Sequence, residues 1–323
     1  MKSTYLLFTP YVSRHFGKMG EAEFKKVKNA PYFFDIDIEV LALHGDSLKI
    51  EGKEVNIDYF VYDSRVFVAE CTYDLGEQLG EETISQKDKI NSKLRQKIVK
   101  ESGYDGDLVE EYFAVIFKKP EGSPAEFVKK NLHIFSKFMP TVDAPSSQVS
   151  YSEKDLTVVD WEGAIIITAD GDYESDVELM KVGNYQLLRY RMLDAEVEKS
   201  LRLLRNRLQG GKKGALASGN KILRQAVDTQ LSLLLDFDKV DQSLLLVGDW
   251  YSAKLYKAIV GEFYIEEWKN LVKEKLENLK EIDETMRQNL TFSWERLIDF
   301  VSIIGWAILL IGYFYLYVKD AGL

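Results

Sequence analysis

Residues 300–318 read FVSIIGWAILLIGYFYLYV, a run of nineteen residues without a charged side chain. As an α-helix rising about 1.5 Å per residue, this run would extend about 28 Å, close to the ~30 Å hydrocarbon core of a bilayer. We therefore predict a transmembrane helix over residues 298–318 and a short tail over 319–323, with a buried core helix as the alternative. The residues expected to form this anchor are Phe300, Gly305, Trp306, Gly312, Tyr313, Tyr315 and Tyr317.

The sequence before this run predicts where the bulk of the chain would lie. Residues 1–10 contain only a short apolar cluster, well below the roughly 7–15 apolar residues of a secretory signal. Arg287 and Arg296 precede the run and Lys319 alone follows it, and basic residues favour the cytoplasmic side. We therefore expect a single-pass protein of a cell membrane or an organelle inner membrane, with a cytoplasmic bulk and a short tail on the opposite side.

The composition is that of a folded chain and argues against two classes of protein. Hydrophobic residues make up 46% of the 323 residues and charged residues 29%, which argues against extended disorder. The net charge of −10 argues against a protein that coats nucleic acid along its whole surface. The single cysteine, Cys71, cannot support a disulfide framework, and its strand-like segment VFVAECTY predicts a buried core residue.

Apolar periodicity divides the chain into regions of different type. Residues 1–140 mix strand and helix patterns and predict an α+β domain, in which Ser123 and Pro124 open a helix. The polar segment PTVDAPSSQVSYSEKD predicts a linker over 141–155. A short strand pair and a long-helix region, of helical-hairpin or coiled-coil type, follow over 156–297 and lead to the transmembrane helix. Its helices are expected at about 173–208, at about 219–247 and from about 252 onward.

The last of these helices carries an apolar seam with 3-4 spacing. Such spacing aligns side chains on one helix face and is typical of a packing surface. The seam either packs on the preceding helices of the same chain or pairs two copies of the chain, and the second reading predicts a homo-oligomer. Its members are Ile265, Trp268, Val272, Leu279, Ile282 and Met286.

A basic island interrupts this acidic chain between Arg189 and Arg224. It holds ten lysines and arginines against three acidic residues. A local positive potential suits phosphate groups, so we predict binding of RNA, a ribonucleoprotein surface or anionic lipid headgroups. The alternative is a solvated helix face. The residues expected to bind the partner are Arg202, Arg205, Arg207, Lys212 and Lys213.

Within this helical region, the segment VGNYQLLRYRMLD alternates polar and apolar residues. Asn184, Gln186, Arg189, Arg191 and Asp194 are the polar members of this seam. They predict either an amphipathic helix whose charges find partners within the fold or a surface for interaction.

No residue pattern specifies a reaction, so we predict no catalytic residues, no metal ligands, no cofactor and no small-molecule substrate. The three histidines lie far apart and none has the spacing of metal ligands. The acidic turn from Asp170 to Asp176 lacks the bidentate glutamate of a calcium loop and fits a helix N-terminus. Asp35 and Asp37 fall on one face of a predicted strand, either as a solvated face or as a metal-binding pair.

The helical half resembles a known membrane-protein family in its layout. Over about residues 160–318 it combines the strand pair DWEGAIIITA, the segment LYKAIVGEFYIEEWKNLVKEKLENLKEIDETMRQNL and the passage FSWERLIDF into the apolar run. This order is similar to that of the family named for a requirement in meiotic nuclear division. The resemblance implies an anchored, oligomerising scaffold, with mitochondrial members that support ribosomes and translation near the inner membrane, and it carries over no catalytic residues.

The stalk and anchor are also similar in layout to bacterial magnesium channels. The chain lacks the Gly-Met-Asn signature and the second membrane helix of those channels, so a channel is the weaker alternative. The leading hypothesis is a non-enzymatic membrane scaffold or adaptor whose basic island engages an anionic partner. The other hypothesis is a membrane-tethered enzyme, or a sensor of a small ligand or metal, with its site in residues 1–140 around Asp35 and Asp37.

Overall fold

The computed structural model describes residues 1–12, 20–22, 38–118, 122–139, 142, 148–209, 231 and 250–320, and the structural statements below concern these residues. Side chains are described for the same ranges except 20–22, 203–209, 282–298 and 314–320. The strands are β1 Lys2–Pro10, β2 Gly20–Ala22, β3 Val40–Ala42, β4 Asp46–Ile50, β5 Lys53–Tyr62, β6 Val66–Asp74, β7 Glu110–Lys118, β8 Gln148–Val149, β9 Leu156–Val159 and β10 Gly163–Thr168. The helices are α1 Glu81–Ser102, α2 Pro124–Lys130, α3 Leu132–Phe135, α4 Glu174–Gln209, α5 Trp250–Glu262 and α6 Ile265–Asp320.

These strands form one mixed sheet. Nine of them follow the order β2-β3-β5-β6-β1-β7-β10-β9-β8, and β4 pairs with β5 beside this path. The pairings are antiparallel except that of β7 with β10, which is parallel. Three residues, Asp63 to Arg65, connect β5 to β6, and Asp63 and Ser64 both have a positive φ, as in the hairpin turns that match strand twist. The first strand of the chain is therefore a central one, with β6 and β7 on either side.

Helices cover both faces of this sheet. Because side chains alternate along a strand and cross-strand partners share a face, Tyr5 and Cys71 lie on one face, and Leu6 and Glu70 lie on the other. On the first face, the buried residues of α1 and of the segment around α2 and α3 join the strands in one apolar cluster. On the second face, Lys181 of α4 contacts Glu70. The core thus lies in two layers, one on each side of the sheet.

The chain divides into two compact units. The first comprises Met1–Ala195 and Thr229–Val272 and contains the sheet. The second comprises Glu196–Asp228 and Lys273–Leu323 and contains the C-terminal parts of α4 and α6. Within the second unit, Leu276 and Leu279 are buried.

The predicted fold class is wrong. We expected an α+β domain and then a separate region of long helices, but β9 and β10 extend the sheet of the first strands through the pairing of β10 with β7. The physical reason is that period-two alternation identifies strands and does not specify which strands pair. A parallel partner reached by a long crossover leaves no local turn signal. The predicted segment limits are not tested by these observations and stay predictions.

The predicted transmembrane helix is also wrong. Among the helices of the described residues, none has an apolar stretch long enough to cross a membrane. The apolar run belongs to α6, Ile265–Asp320. Three predictions depended on this transmembrane helix and are therefore also wrong: the single-pass topology, the integral association with a membrane and the membrane location.

The residues expected to anchor the chain all lie on α6. Phe300, Trp306 and Tyr313 are exposed, as are Gly305 and Gly312. The side chains of Tyr315 and Tyr317 lie outside the described residues.

Cys71 is buried in β6, which confirms the prediction of a core residue. Burial raises the pKa of its thiol well above the ordinary value, so neither access nor thiolate formation favours reaction. We expect a disulfide reagent such as DTNB to leave the native protein unlabelled and to titrate one thiol per chain in denaturant. Rapid labelling of one thiol in the native protein would contradict the buried position of this strand.

Candidate functional site

Helix α4 carries a line of polar side chains that is buried against the sheet. Lys181 Nζ lies 2.9 Å from Glu70 Oε2 and 2.7 Å from Glu178 Oε1, and all three side chains are less than a tenth exposed. Burial alone would lower the pKa of Lys181, but Tyr62, Glu70 and Glu178 outweigh it and raise the pKa above its ordinary value. The lysine is therefore a charged, internally paired part of the core.

The polar seam predicted on this helix lies in the same interface. The Arg189 guanidinium donates to Tyr185 Oη, which in turn donates to Asp63 in the turn between β5 and β6. Arg191 pairs with Glu110 at the beginning of β7. Gln186 accepts a hydrogen bond of 2.7 Å from Tyr256 of α5. The structure therefore favours the amphipathic helix with internal partners over the interaction surface, and it places Arg189 and Arg191 of the basic island inside the fold.

A small acidic pocket of about 60 Å³ lies where α4 begins. Asp176 of the first turn accepts hydrogen bonds from Thr157 of β9 at 2.5 Å and from Tyr251 of α5 at 2.8 Å. Burial raises the pKa of Asp176 to about 6, although these two hydrogen bonds oppose the rise. Asp170 Oδ1 accepts from the backbone N–H of Asp172 at 2.9 Å, so this acidic segment is a turn leading into a helix. The pocket joins three elements and is too small for a ligand of ordinary size.

A larger cavity of about 360 Å³ lies beside the first residues of β7 and β10, and we name it the Lys87 cavity. Lys87, Asp88 and Asn91 of α1 line it from one face of the sheet, and Asn184 and Leu187 of α4 from the other. Its remaining lining residues come from β1, β7, the segment after α3 and the turn between β9 and β10: Tyr5, Glu110, Glu111, Tyr112, Phe113, Lys137, Phe138, Trp161 and Glu162. The volume falls in the range of small-molecule sites.

Lys87 is the buried cation of this cavity. Its side chain is 3% exposed, and its ammonium lies 3.6 Å from the ring centre of Phe113 and 5.0 Å from that of Phe138. Burial lowers the pKa of Lys87, whereas Asp88 and Glu162 act to raise it. The anionic partner is Asp88 Oδ1 at 3.0 Å, on a side chain that is 63% exposed. A buried amine is therefore paired with a carboxylate that faces water.

Two carboxylates of the cavity wall, Glu110 and Glu111, are held by partners of their own. Glu111 accepts a hydrogen bond of 2.6 Å from Tyr5 and another of 2.5 Å from Arg95. Glu110 pairs with Arg191, and its pKa is raised by burial although the arginine opposes the rise. These contacts fix both side chains and offset their charges, whereas the partner of the buried Lys87 ammonium is the exposed Asp88.

Backbone packing keeps the aromatic floor of the cavity in place. A Cβ built on Gly163 would lie 2.5 Å from the ring of Phe113, so only glycine allows this ring to lie against the start of β10. The ring of Phe113 in turn covers the ammonium of Lys87. Trp161 at the rim packs edge-on against Phe263 at 6.2 Å. The aromatic floor therefore rests on residues of β7, of β10 and of the turn between β9 and β10.

Two observations favour the Lys87 cavity over other candidate sites, a larger basin and a metal centre. The basin of about 650 Å³ around Lys2, Asp74, Glu77 and Lys130 is larger, but each of these charged side chains is exposed. Within the described part of the chain, no group of three or more histidine, cysteine, aspartate or glutamate residues could hold a metal ion. The Lys87 cavity combines ligand-sized volume with a buried charge and is the best-supported site.

Of the residues predicted to bind a partner, Arg202 is the one whose side chain lies within the described residues. Arg202 is exposed on α4 and pairs with Glu198 one turn earlier at 2.5 Å. Arg205 and Arg207 lie on the same helix with side chains outside the described residues, and Lys212 and Lys213 lie outside them altogether. Their assignment to partner binding is not tested and stays a prediction. Asp35 and Asp37 also lie outside the described residues.

Apart from Asn184 of the polar seam, the residues of the Lys87 cavity were missed by sequence reasoning, although one further signal was present. The buried face of α1 consists of Ile84, Ile90, Leu94 and Ile98, and Lys87 occupies the same stripe. A lysine at an apolar helical position points to a buried cation. The contributions of β7 and of the turn at Trp161 depend on strand pairing and had no such signal.

Comparison with known proteins gives a partial match. The family described as "Uncharacterized protein MJ0711, N-terminal domain" matches residues 21–174. "Uncharacterized protein MJ0711" of Methanocaldococcus jannaschii is 26% identical over 259 residues, covering 77% of this chain and 78% of that protein. No solved structure matches the chain. The matched range contains β7, β10 and α1, and with them most of the Lys87 cavity.

These findings overturn the predicted family and the functions derived from it. The family match is to the domain just named, and the resemblance to the family required for meiotic nuclear division is wrong. That resemblance was based on the order of secondary-structure elements before an apolar run. Such an order, without specific motifs, does not define a family. The membrane scaffold, its tethered ligand- or metal-sensing alternative and the related channel all required the membrane helix, which is not found among the described residues.

Proposed function

We propose that the sheet-containing unit binds a small organic acid with an apolar tail in the Lys87 cavity. The observation that carries this proposal is a buried ammonium on a residue that lines a cavity of about 360 Å³. In a medium of low dielectric, a carboxylate next to this ammonium gains far more than it would in water. Hydrogen bonds to a charged group contribute about 1.5–3 kcal/mol each.

The present counter-ion of Lys87 can be exchanged for a ligand. Asp88 is 63% exposed, so it loses little when it turns from the ammonium into water. A ligand carboxylate that takes its place is enclosed by the cavity and keeps the ammonium neutralised. The acid group of the ligand therefore replaces Asp88 at Nζ.

The rest of the cavity determines the kind of molecule attached to the acid. Phe113, Phe138 and Leu187 offer apolar surface, and Trp161 adds an exposed ring at the rim. Asn91 accepts a hydrogen bond of 2.6 Å from Tyr73, which orients its amide at the cavity wall. An apolar tail with a polar substituent next to the carboxylate matches this lining. Acids of the branched 2-hydroxy and 2-oxo type have this composition.

The test is calorimetric titration of the full chain with 2-hydroxy-4-methylpentanoate. Lys87→Met is expected to weaken binding about ten- to a hundred-fold, because it removes one charge-assisted contact and keeps a side chain of similar length over the two rings. 4-Methylpentan-1-ol, which has the tail without the acid, is expected to bind no better to the native protein than to the variant.

Asp88→Asn is the matched variant with the opposite expected effect. It removes the competing carboxylate and leaves Lys87 in place, so the acid should bind several-fold more tightly. Equal affinities in the native protein and in Lys87→Met, or no binding of the acid at millimolar concentration, would overturn the proposed function. Unchanged thermal unfolding of both variants serves as the control for folding.

A further inference from the structure

We propose that Lys87 forms a covalent imine with the carbonyl group of a 2-oxo acid bound in the Lys87 cavity. This inference rests on the proposed function, because the same cavity must first admit the acid. It extends that function from reversible ionic binding to a chemical step at a named atom. The substrate class is thereby narrowed from organic acids to those with a ketone next to the carboxylate.

The surroundings of Nζ supply what an amine nucleophile needs. The side chain is 3% exposed and its nitrogen lies against the rings of Phe113 and Phe138, so water does not stabilise the charged form. Burial lowers the pKa of Lys87, which favours the neutral amine. Lys87 is one of the residues that line the cavity, so a bound ketone lies next to this side chain.

A proton carrier stands beside the nitrogen. Asp88 Oδ1 lies 3.0 Å from Nζ, within hydrogen-bond reach. In the reactive complex the ketone lies at Nζ and the carboxylate of the 2-oxo acid lies away from it, so Asp88 keeps its place beside the nitrogen. Asp88 accepts a proton from the ammonium, and the neutral amine then attacks the ketone carbon, so that a C–N bond forms and the carbonyl π electrons move to oxygen. Proton transfer from nitrogen to that oxygen gives a neutral carbinolamine. Asp88 returns its proton to the hydroxyl, which leaves as water while the nitrogen lone pair forms the C=N bond of a protonated imine.

The step is balanced without another reactant. An ammonium and a ketone become an iminium and one water molecule, and nothing is oxidised or reduced. The product keeps a positive charge at the same nitrogen, so the Phe113 ring that lies 3.6 Å from the ammonium also stabilises the iminium. The buried position slows hydrolysis of the product because it limits the access of water.

The experiment compares 4-methyl-2-oxopentanoate with 2-hydroxy-4-methylpentanoate on the full chain in the presence of sodium cyanoborohydride. The two acids share the carboxylate and the tail, and only the first has a ketone. We expect mass spectrometry to find a reduced adduct from the 2-oxo acid and none from the hydroxy acid. Peptide mapping should place it on Lys87, at a rate at least tenfold above any other lysine.

Two variants separate failure of this inference from failure of the proposed function. Lys87→Arg keeps a cation for the hydroxy acid and cannot be trapped. Asp88→Asn should bind the hydroxy acid more tightly and yet form the adduct at least tenfold more slowly. Calorimetric binding of both acids without an adduct on Lys87, or equal trapping in Lys87→Arg, overturns the imine and leaves the binding site intact. Absence of binding by either acid overturns both proposals.

Discussion

Replacing Lys181 with methionine is expected to lower the free energy of unfolding by about 3–5 kcal/mol. The lysine lies between Glu70 and Glu178, and the three side chains are 3%, 8% and 4% exposed in the order lysine, Glu70, Glu178. Without the ammonium, two carboxylates remain buried close together with no cation between them. Their desolvation is then uncompensated, and this penalty dominates the loss. Chemical denaturation of the variant and the native protein at neutral pH measures the difference.

Two further variants distinguish the loss of the ion pairs from a general effect of substitution on α4. Lys199→Met changes an exposed lysine of the same helix and should alter stability by less than about 0.5 kcal/mol. The triple variant Glu70→Leu, Glu178→Leu and Lys181→Met removes all three charges and should recover most of the loss, because buried ion pairs are often replaceable by apolar packing. A single-variant loss below about 1 kcal/mol would show that water reaches this cluster.

Replacing Asp176 with asparagine is expected to stabilise the protein at neutral pH by up to about 3 kcal/mol. Burial raises the pKa of Asp176 from 3.8 to about 6, and one pKa unit corresponds to about 1.36 kcal/mol. Thr157 and Tyr251 both donate to the same oxygen of Asp176, and an asparagine oxygen can accept both hydrogen bonds. The variant therefore keeps the contacts and removes the cost of burying a charge.

The pH dependence of this difference has a definite sign. Between pH 4 and 6 the native state of the wild type binds more protons at Asp176 than the unfolded state, so this group's contribution to stability is fully present below about pH 4 and is lost as the pH rises through about 6. The stability of Asp176→Asn relative to the wild type should be near zero at pH 4 and largest at pH 7. Asp107→Asn, at an exposed loop position, is the matched control. A difference that is constant with pH would contradict a buried carboxylate at this position.

Local structure was predictable where a short pattern determines it. The helix expected at about 173–208 is α4, Glu174–Gln209. The expected start at Ser123 and Pro124 is present as a capping box, in which Ser123 accepts from the backbone of Glu126. The buried position of Cys71 followed from its apolar strand segment. Each of these predictions depended on residues that are close in sequence.

The arrangement of the elements was not predictable in the same way. The helix expected from about residue 252 is two helices, because Tyr264 adopts a positive φ of 52° between α5 and α6. The Lys87 cavity combines α1, β7 and α4 with the turn at Trp161, and only tertiary pairing brings these together. Similarly, Arg189 and Arg191 were counted toward the partner-binding basic island because their partners within the fold, Asp63 and Glu110, lie about a hundred residues earlier in the chain. Periodicity indicates faces and does not indicate the residues that meet them.

The parallel pairing of β7 with β10 also has a consequence for the order in which the chain assembles. The antiparallel ladders of β1 with β6 and of β1 with β7 can form as soon as β7 has been synthesised. The partner of Phe113 on the other side of β7 is Gly163, which is synthesised fifty residues later. Until then the outer side of β7, with its buried segment from Tyr112 to Phe117, is an unpaired apolar edge. During synthesis this edge of β7 is therefore open to wrong pairing until β10 has been made and has paired with it.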